Sequence, residues 1–453
     1  MDAKKRPRGP QNPILIGHLR AFRKDPLGFL TQAASEYGDI CYFRLARQPV
    51  YLLNHPDYIR DVLVTHQSSF TKSRTLQRAK VLLGEGLLTS EDPVNLRQRR
   101  LVQPAFHRDR LASYAATMTE VAARTRERWR DCETVDLAAE MMRMTLTIIG
   151  RTMFSAEVEG EASEIGSALT EIFVQFKNLM LPMSQHFNRL PLPSSKRFRD
   201  ARARLDKTIY RFIAERRESG KDHGDLLSML LLARDEDGSG GMTDMQIRDE
   251  TLTIFVAGHE TTAVALTWIW YLLSQNPECE ARLHEEIDEV LGGRLPNFDD
   301  VPRLRYSEKI MAEAMRLYPP AWAVSRLTKA GYDLAGWHLP RGAVCLMSPW
   351  VTHRDARFFP DPERFDPERW TPEARDARPK FCYFPFGGGA RVCIGERFAW
   401  TEGILAMATI AQKWRFRLAA GQVVEPLPLV TLRTKYGMRM IAERRGAAAR
   451  AAS

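Results

Sequence analysis

Between Thr243 and Asn276 the chain is apolar almost all the way round, and this segment limits the possible folds more than any other. Thr243-Asp244-Met245-Gln246 has the form of a capping box that opens a helix, and Asn276-Pro277 must close it. The spacing predicts about 31 helical residues, roughly 46 Å at 1.5 Å per residue, enough to cross a whole domain. The middle, TLTIFVAGHETTAVALTWIWYLL, has the apolar length of a membrane span. His259 and Glu260 at its centre would be costly in lipid, however, and the charged flanks of a topology signal are missing. A helix buried in a large protein is the expectation. Its hexad Ala257-Gly258-His259-Glu260-Thr261-Thr262 is unsuited to simple packing, since glycine costs about 1 kcal/mol against alanine and a buried glutamate needs a partner. Ala257 and Gly258 would let a flat ligand approach the backbone, and the Thr261 hydroxyl can bond the carbonyl four residues back. The hexad reads as a polar notch beside a ligand or as a chance cluster lining a water pocket.

The remainder is ordinary in composition. The 453 residues are 44% hydrophobic and 27% charged, which excludes a disordered, collagen-like or disulfide-scaffold protein. Residues 94–290 are dominated by helix formers with 3.6-type periodicity, broken at 181–195 and 234–241. A hairpin is expected over 40–53 around Arg47-Gln48-Pro49, with strand-like pieces at Tyr332–Leu334, Ala343–Met347 and near Leu429–Leu432. The fold class is mostly α with a minor β region. No linker divides the chain, so one large domain at 14–442 is expected between a lead-in (1–13) and a tail (443–453). Sixty-six basic against 56 acidic residues give a net charge of +10, but the charges are interspersed. The one dense basic run, Lys4, Lys5, Arg6 and Arg8, reads as a solvated tail and not as a nucleic-acid patch. The start lacks a signal-peptide core or an apolar anchor, so a soluble, cytoplasmic protein is expected. The six cysteines contain no Cys-x-x-Cys pair, which argues against a zinc ribbon and suits a reducing compartment.

The second constellation is Phe386-Gly387-Gly388-Gly389-Ala390-Arg391-Val392-Cys393-Ile394-Gly395, followed by the helical ERFAWTEGILAMATIAQKW. Glycines permit positive φ and close backbone approach, and a helix starting just after Cys393 favours a thiolate. Arg391 could pair an anion. A nucleophilic cysteine would need a positioned histidine and zinc would need three more ligands, whereas an axial thiolate on haem iron needs only itself. Glu313 and Arg316, three apart on one helical face, can pair, and Pro367-Glu368-Arg369-Trp370 comes later in the chain.

Taken together, Ala257–Thr262, Glu313-x-x-Arg316, Pro367–Trp370 and Phe386–Gly395 occur in the order found in the cytochrome P-450 family, and the chain resembles that family over nearly its whole length. The resemblance implies a single domain with haem b (iron protoporphyrin IX) between the long central helix and the cysteine loop, and Cys393 as the iron's axial ligand. Phe386, Gly395, Ala257 and Gly258 would border the haem, and Arg99, Arg326 and Arg391 would pair its propionates. Asn95 stands where the family usually has Trp or His and can donate a hydrogen bond. Glu313, Arg316 and Arg369 would lock the loop, and Glu260 with Thr261 would deliver protons during dioxygen activation. A peroxide-driven peroxygenase and a non-catalytic haem sensor or carrier are the alternatives.

No flavin domain or dinucleotide fingerprint is present, since Gly84-Glu85-Gly86 and Gly238-Ser239-Gly240 lack the required third glycine. The resemblance therefore implies a separate ferredoxin or flavodoxin with an NAD(P)H-dependent reductase, docking near Arg97, Arg100 and Arg397, and a monomeric enzyme. By family position the substrate pocket would draw on residues 70–90 and 175–192 (Phe176, Met180, Met183, Phe187), on Phe255 and Val256, on Ala321, Trp322 and Val324, and on Leu429–Leu432 including Val430. That apolar set suits a lipophilic fatty acid, terpenoid or steroid.

Overall fold

The computed structural model describes residues 6–11, 17–155, 168, 171–172, 193–234 and 240–446. The expected pocket segment 175–192 lies outside the described residues. Six helices position the residues of interest: α1 (Arg108–Glu127), α2 (Leu137–Phe154), α3 (Pro193–Ser219), α4 (Asp244–Gln275), α5 (Arg305–Leu317) and α6 (Glu396–Ala411). The chain divides into two compact units.

The first unit comprises Met1–Arg74, Ala312–Cys393 and Val430–Arg433. Its centre is a five-stranded sheet of β1 (Ile40–Leu45), β2 (Gln48–Leu53), β3 (Phe70–Lys72), β4 (Val324–Thr328) and β5 (Val344–Met347), in the order β1-β2-β5-β4-β3. β2 and β5 run parallel, and the other neighbours are antiparallel. The expected hairpin is β1–β2, but its turn is Ala46-Arg47 and not Arg47–Pro49. Ala46 takes the positive φ of 52° that a two-residue loop requires, which leaves Gln48 and Pro49 paired in β2. Proline is tolerated there, at the strand's start.

The second unit comprises Thr75–Met311, Ile394–Leu429 and Thr434–Ser453. α4 is its axis. Thr243 and Gln246 form both bonds of the capping box, and Asn276 ends the helix. Trp268 and Trp270 are fully buried, and removing a side chain of this size from water contributes on the order of 5 kcal/mol as an upper bound. Among the described residues α4 is the one helix long and apolar enough to cross a membrane, and 83% of that stretch is buried inside the protein. α2 starts from an Asp136 cap and lies along α4, where Phe154 stacks on Phe255 with ring centres 4.3 Å apart and planes 9° from parallel. α6 packs against α5's first part, where Gly403 leaves room for Met311: a Cβ at 403 would stand 2.6 Å from its sulfur. A three-stranded sheet of Glu133–Asp136, Arg439–Arg444 and Trp414–Leu418 completes the unit. Its first strand falls inside the stretch expected to be helical, because its pairing partners lie some 300 residues away in sequence.

Candidate functional site

In the first unit, the cysteine loop is held by backbone bonds that fold it back on itself. The Gly387 N–H donates to the Phe384 carbonyl at 3.0 Å, the Val392 N–H to Gly389 at 3.1 Å, and the Cys393 N–H to Phe386 at 3.0 Å. Gly389 has φ +70° and a Cβ on it would run into the Leu63 carbonyl, so any side chain there would meet both strain and backbone. The next residue's N–H, Ala390, donates to Gln67 Oε1 at 2.8 Å. Phe386 and Arg391 flank this turn and are half-buried.

All six cysteines are free, and only Cys132 and Cys393 are exposed. Burial pushes the thiol of Cys41 up to about 12 and that of Cys382 to about 11, and moves Cys345 well above its ordinary value. Those three are inert, protonated core groups, whereas Cys393 is presented at the end of a rigid turn.

Glu313 and Arg316 of α5 are wholly buried. Arg316 uses all five of its N–H donors: Nε and Nη2 reach the two Glu313 oxygens at 2.8 Å each, and the others reach the carbonyls of His353 (3.0 Å), Pro362 (2.6 Å) and Arg364 (3.0 Å). Glu313 also accepts the Asp366 N–H at 3.0 Å and Trp370 Nε1 at 2.9 Å, and Arg369 Nε stands 3.4 Å from it. The sequence spacing of Glu313 and Arg316 allowed the pair, but nothing in it indicated Trp370 or His353. Elsewhere in this unit Arg326 is buried in β4, in register with Lys72 and Cys345. Trp322 belongs to the core beside Leu52 and Leu346, Ala321 and Val324 are half-buried, and Val430 is exposed.

In the second unit, α4 stays continuous through its polar hexad. Ala257 is exposed although the helix on either side is buried, which marks an open window at its centre. Side chains bond the carbonyls here in succession: His259 Nδ1 to Phe255 (2.6 Å), Thr261 Oγ1 to Ala257 (2.8 Å), Thr262 Oγ1 to Gly258 (3.3 Å) and, from α2, Thr145 Oγ1 to His259 (2.9 Å). Such bonds loosen a helix's own ladder. The two small residues have different uses. A Cβ on Gly258 would come within 2.7 Å of Ile149 of α2, so its smallness serves helix packing, and Ala257 is the open position. Glu260 is 2% exposed, while Phe255 and Val256 are buried.

Behind the hexad, on α6, Glu402 is wholly buried. Burial pushes its carboxyl up to about 8, with the Thr262 hydroxyl partly offsetting this, so it is protonated at neutral pH. Sequence reading missed it, although a single acid within TEGILAMATIA was the available signal.

Residues 84–90 are tied to α4 as well. Asp249 accepts the Glu85 N–H at 2.8 Å, Glu250 the Leu87 N–H at 3.1 Å, and Arg248 pairs with Asp249 at 2.8 Å and with Asp206 of α3. Asn95 is buried, and its Nδ2 donates to Leu87 O (2.9 Å) and Ser90 Oγ (3.2 Å), which engages the amide in this turn. Arg99 is half-buried on the helix Val94–Val102. Arg100 and Arg397 are exposed, and Arg97 Nη2 donates to Gly241 O at 3.3 Å. Gly395 is the residue from which α6 starts.

Comparison with known proteins places these features. The family model described as Cytochrome P-450 matches residues 7–438. Cyclooctatin synthase of Streptomyces melanosporofaciens is 42% identical, over 95% of this chain and 94% of its own length. Pentalenene oxygenase of Streptomyces avermitilis is 39% identical over 92% and 93%, and cyclooctat-9-en-7-ol 5-monooxygenase of Streptomyces melanosporofaciens is 37% identical over 93% and 94%. A match running almost end to end, with relatives aligned over nine-tenths of both chains, leaves one assignment: the chain belongs to the cytochrome P-450 family, the haem-thiolate monooxygenases.

Proposed function

We propose that this monooxygenase inserts one oxygen atom from O2 into a terpenoid, with haem b bound through Cys393 and electrons from a separate ferredoxin or flavodoxin and its reductase. The observation that carries the substrate class is the set of relatives whose names specify oxidation of pentalenene and of cyclooctat-9-en-7-ol, at 37–39% identity. Of the fatty acid, terpenoid and steroid classes that an apolar pocket admits, the terpenoid is the one these names support.

The residues present fit a haem. Cys393 is exposed on a turn that glycines hold close, and Ala257 is exposed on an otherwise buried stretch of α4. When bound, haem would supply the redox chemistry of dioxygen cleavage, and the Cys393 thiolate would hold its iron. Arg99, Arg326 and Arg391 supply the cations that its propionates need.

The chain's own part in turnover is to move protons and exclude stray water. Thr261 Oγ1 donates its hydrogen to the Ala257 carbonyl, which points its lone pairs away from the helix backbone to accept from a water. Glu260 next to it exchanges protons with that water as a general acid–base. The arrangement favours a monooxygenase, which draws two protons from outside the site, over a peroxygenase, whose peroxide brings its own. The enzyme is read as a cytoplasmic monomer.

The test is turnover of purified enzyme with ferredoxin, reductase and NADPH under isotopically labelled dioxygen, offering terpene, fatty-acid and steroid panels. A terpenoid product carrying one labelled oxygen is expected. Turnover of fatty acids or steroids alone would overturn the substrate class, and product formed from peroxide but never from dioxygen would favour the peroxygenase.

A further inference from the structure

We propose that His353 is a positioning residue for the thiolate loop, joining the buried Glu313–Arg316–Arg369 cluster to the chain that enters the loop. The inference rests on Cys393 being the iron ligand and adds a residue whose role none of the sequence motifs carries.

His353 has no solvent exposure, and two of its groups face two different structures. Its backbone carbonyl accepts Arg316 Nη1 at 3.0 Å, which ties it to α5. Its ring nitrogen Nε2 accepts the Phe384 N–H at 2.9 Å. From Phe384 the bonds continue without a gap, through its carbonyl to the Gly387 N–H and from Phe386 to the Cys393 N–H. Packing fixes the ring in this role. Tyr383 lies 4.8 Å away at 39°, Phe384 meets it edge-on at 5.3 Å, and Tyr383 is itself held by its hydroxyl bond to Ala312 O at 3.0 Å.

The bond dictates the ring's protonation. Nε2 must be the bare nitrogen, so the proton sits on Nδ1, which is buried without a hydrogen-bond partner among the described residues. A second proton would turn the acceptor into a donor aimed at the Phe384 N–H. The charged side chains facing the ring are cations, Arg316 paired with Glu313 and Arg354 paired with Glu363. Burial first, then Arg316, holds the imidazole well below the ordinary histidine range. A histidine depressed in this way contributes stability that is complete above the ordinary range and is lost as pH falls below it. The loop's anchor therefore weakens in acid.

The test uses full-length holoprotein as wild type, His353→Gln and His353→Leu. The reduced, carbon monoxide-bound spectrum is recorded from about pH 7.5 downward, through the range where an ordinary histidine titrates and on below it. The ratio of thiolate-ligated to non-thiolate bands is the readout. Gln offers Oε1 where Nε2 stands and does not titrate, while Leu keeps the bulk without an acceptor. Wild type should hold the thiolate band through the ordinary histidine range and lose it only below that range. Gln should match it at neutral pH and retain the band to a pH lower by about one unit. Leu should show a ratio reduced about tenfold at neutral pH, the equilibrium equivalent of one lost buried hydrogen bond. A Leu variant with the wild-type ratio and pH profile, or a Gln variant as impaired as Leu, overturns the proposal. If Leu does not fold, the acid profile of Gln decides alone: a profile identical to wild type overturns it. Absence of the thiolate band from wild type itself would instead discard Cys393 as ligand, and this proposal with it.

Discussion

Two polar clusters, one in each unit, are built on opposite principles. Around Glu313 and Arg316 hydrogen bonding is saturated: five donors of one guanidinium find five acceptors, and the carboxylate accepts from Arg316, Asp366 and Trp370 with Arg369 close by. Around Ala257–Thr262 hydroxyls lean back onto the helix's own carbonyls, an exposed alanine interrupts a buried helix, and a carboxyl stands protonated behind it. A saturated ionic cluster fixes geometry and has no capacity left for chemistry. A loosely bonded one can accept a water or pass a proton. Under the proposed function, the first would hold the cysteine loop and the second would move protons.

The sharpest way to break the contrast is to unpair the saturated cluster. Arg316→Met should cost about 3–5 kcal/mol, because it leaves the Glu313 carboxylate buried with too few donors, and should abolish stable haem retention. Thermal unfolding and haem content check this, and Arg316→Lys should not rescue it, since an ammonium cannot reproduce the five-way fork. Next comes Gly389→Ala, for which the positive φ alone costs about 1–2 kcal/mol before the Leu63 carbonyl is displaced. Loss of the thiolate band, with α-helical circular dichroism kept, is the expected outcome. Unaltered spectra would mean the loop tolerates a side chain there.

Glu402→Gln has an effect that depends on pH. The carboxyl is raised to about 8 in the folded protein, so folding stability should fall as pH rises from the ordinary glutamate value towards 8, by about 1.4 kcal/mol per pH unit. The glutamine variant should flatten that slope in denaturant titrations at pH 6 and pH 8, and parallel slopes would mean the group is ionised in both states. Thr261→Ala removes a half-buried hydroxyl already bonded to its own helix and should change stability by less than about 1 kcal/mol. Its effect should instead be on coupling, with reductant consumed and peroxide released in place of product. Unchanged coupling would remove Thr261 from proton delivery. Smallest and most salt-dependent is charge reversal at the exposed Arg100 and Arg397, which should slow reduction by an acidic electron carrier at low ionic strength and matter little at high.

Legibility in the sequence divides between local and distant contacts. The capping box, the closing Asn276-Pro277 and the glycines before Cys393 are local signals, and each yields the local structure it implies. The cluster around Glu313 was legible only as far as its i, i+3 spacing. Trp370 and His353 join it through bonds that span 57 and 37 residues, a distance at which no periodicity operates. The strand Glu133–Asp136 was hidden for the same reason, its partner being Arg439–Arg444. Gly258 read locally as room for a ligand, and only the position of Ile149 on α2 reveals that it is room for a helix.

The most direct measurement is the absorption spectrum of purified protein, reduced and exposed to carbon monoxide, for wild type and Cys393→His. Wild type should give the strongly red-shifted Soret band of thiolate ligation, and Cys393→His should retain haem but lose that band. An imidazole-like band in wild type, or the same red-shifted band in both proteins, would contradict Cys393 as the ligand on which every assigned role depends.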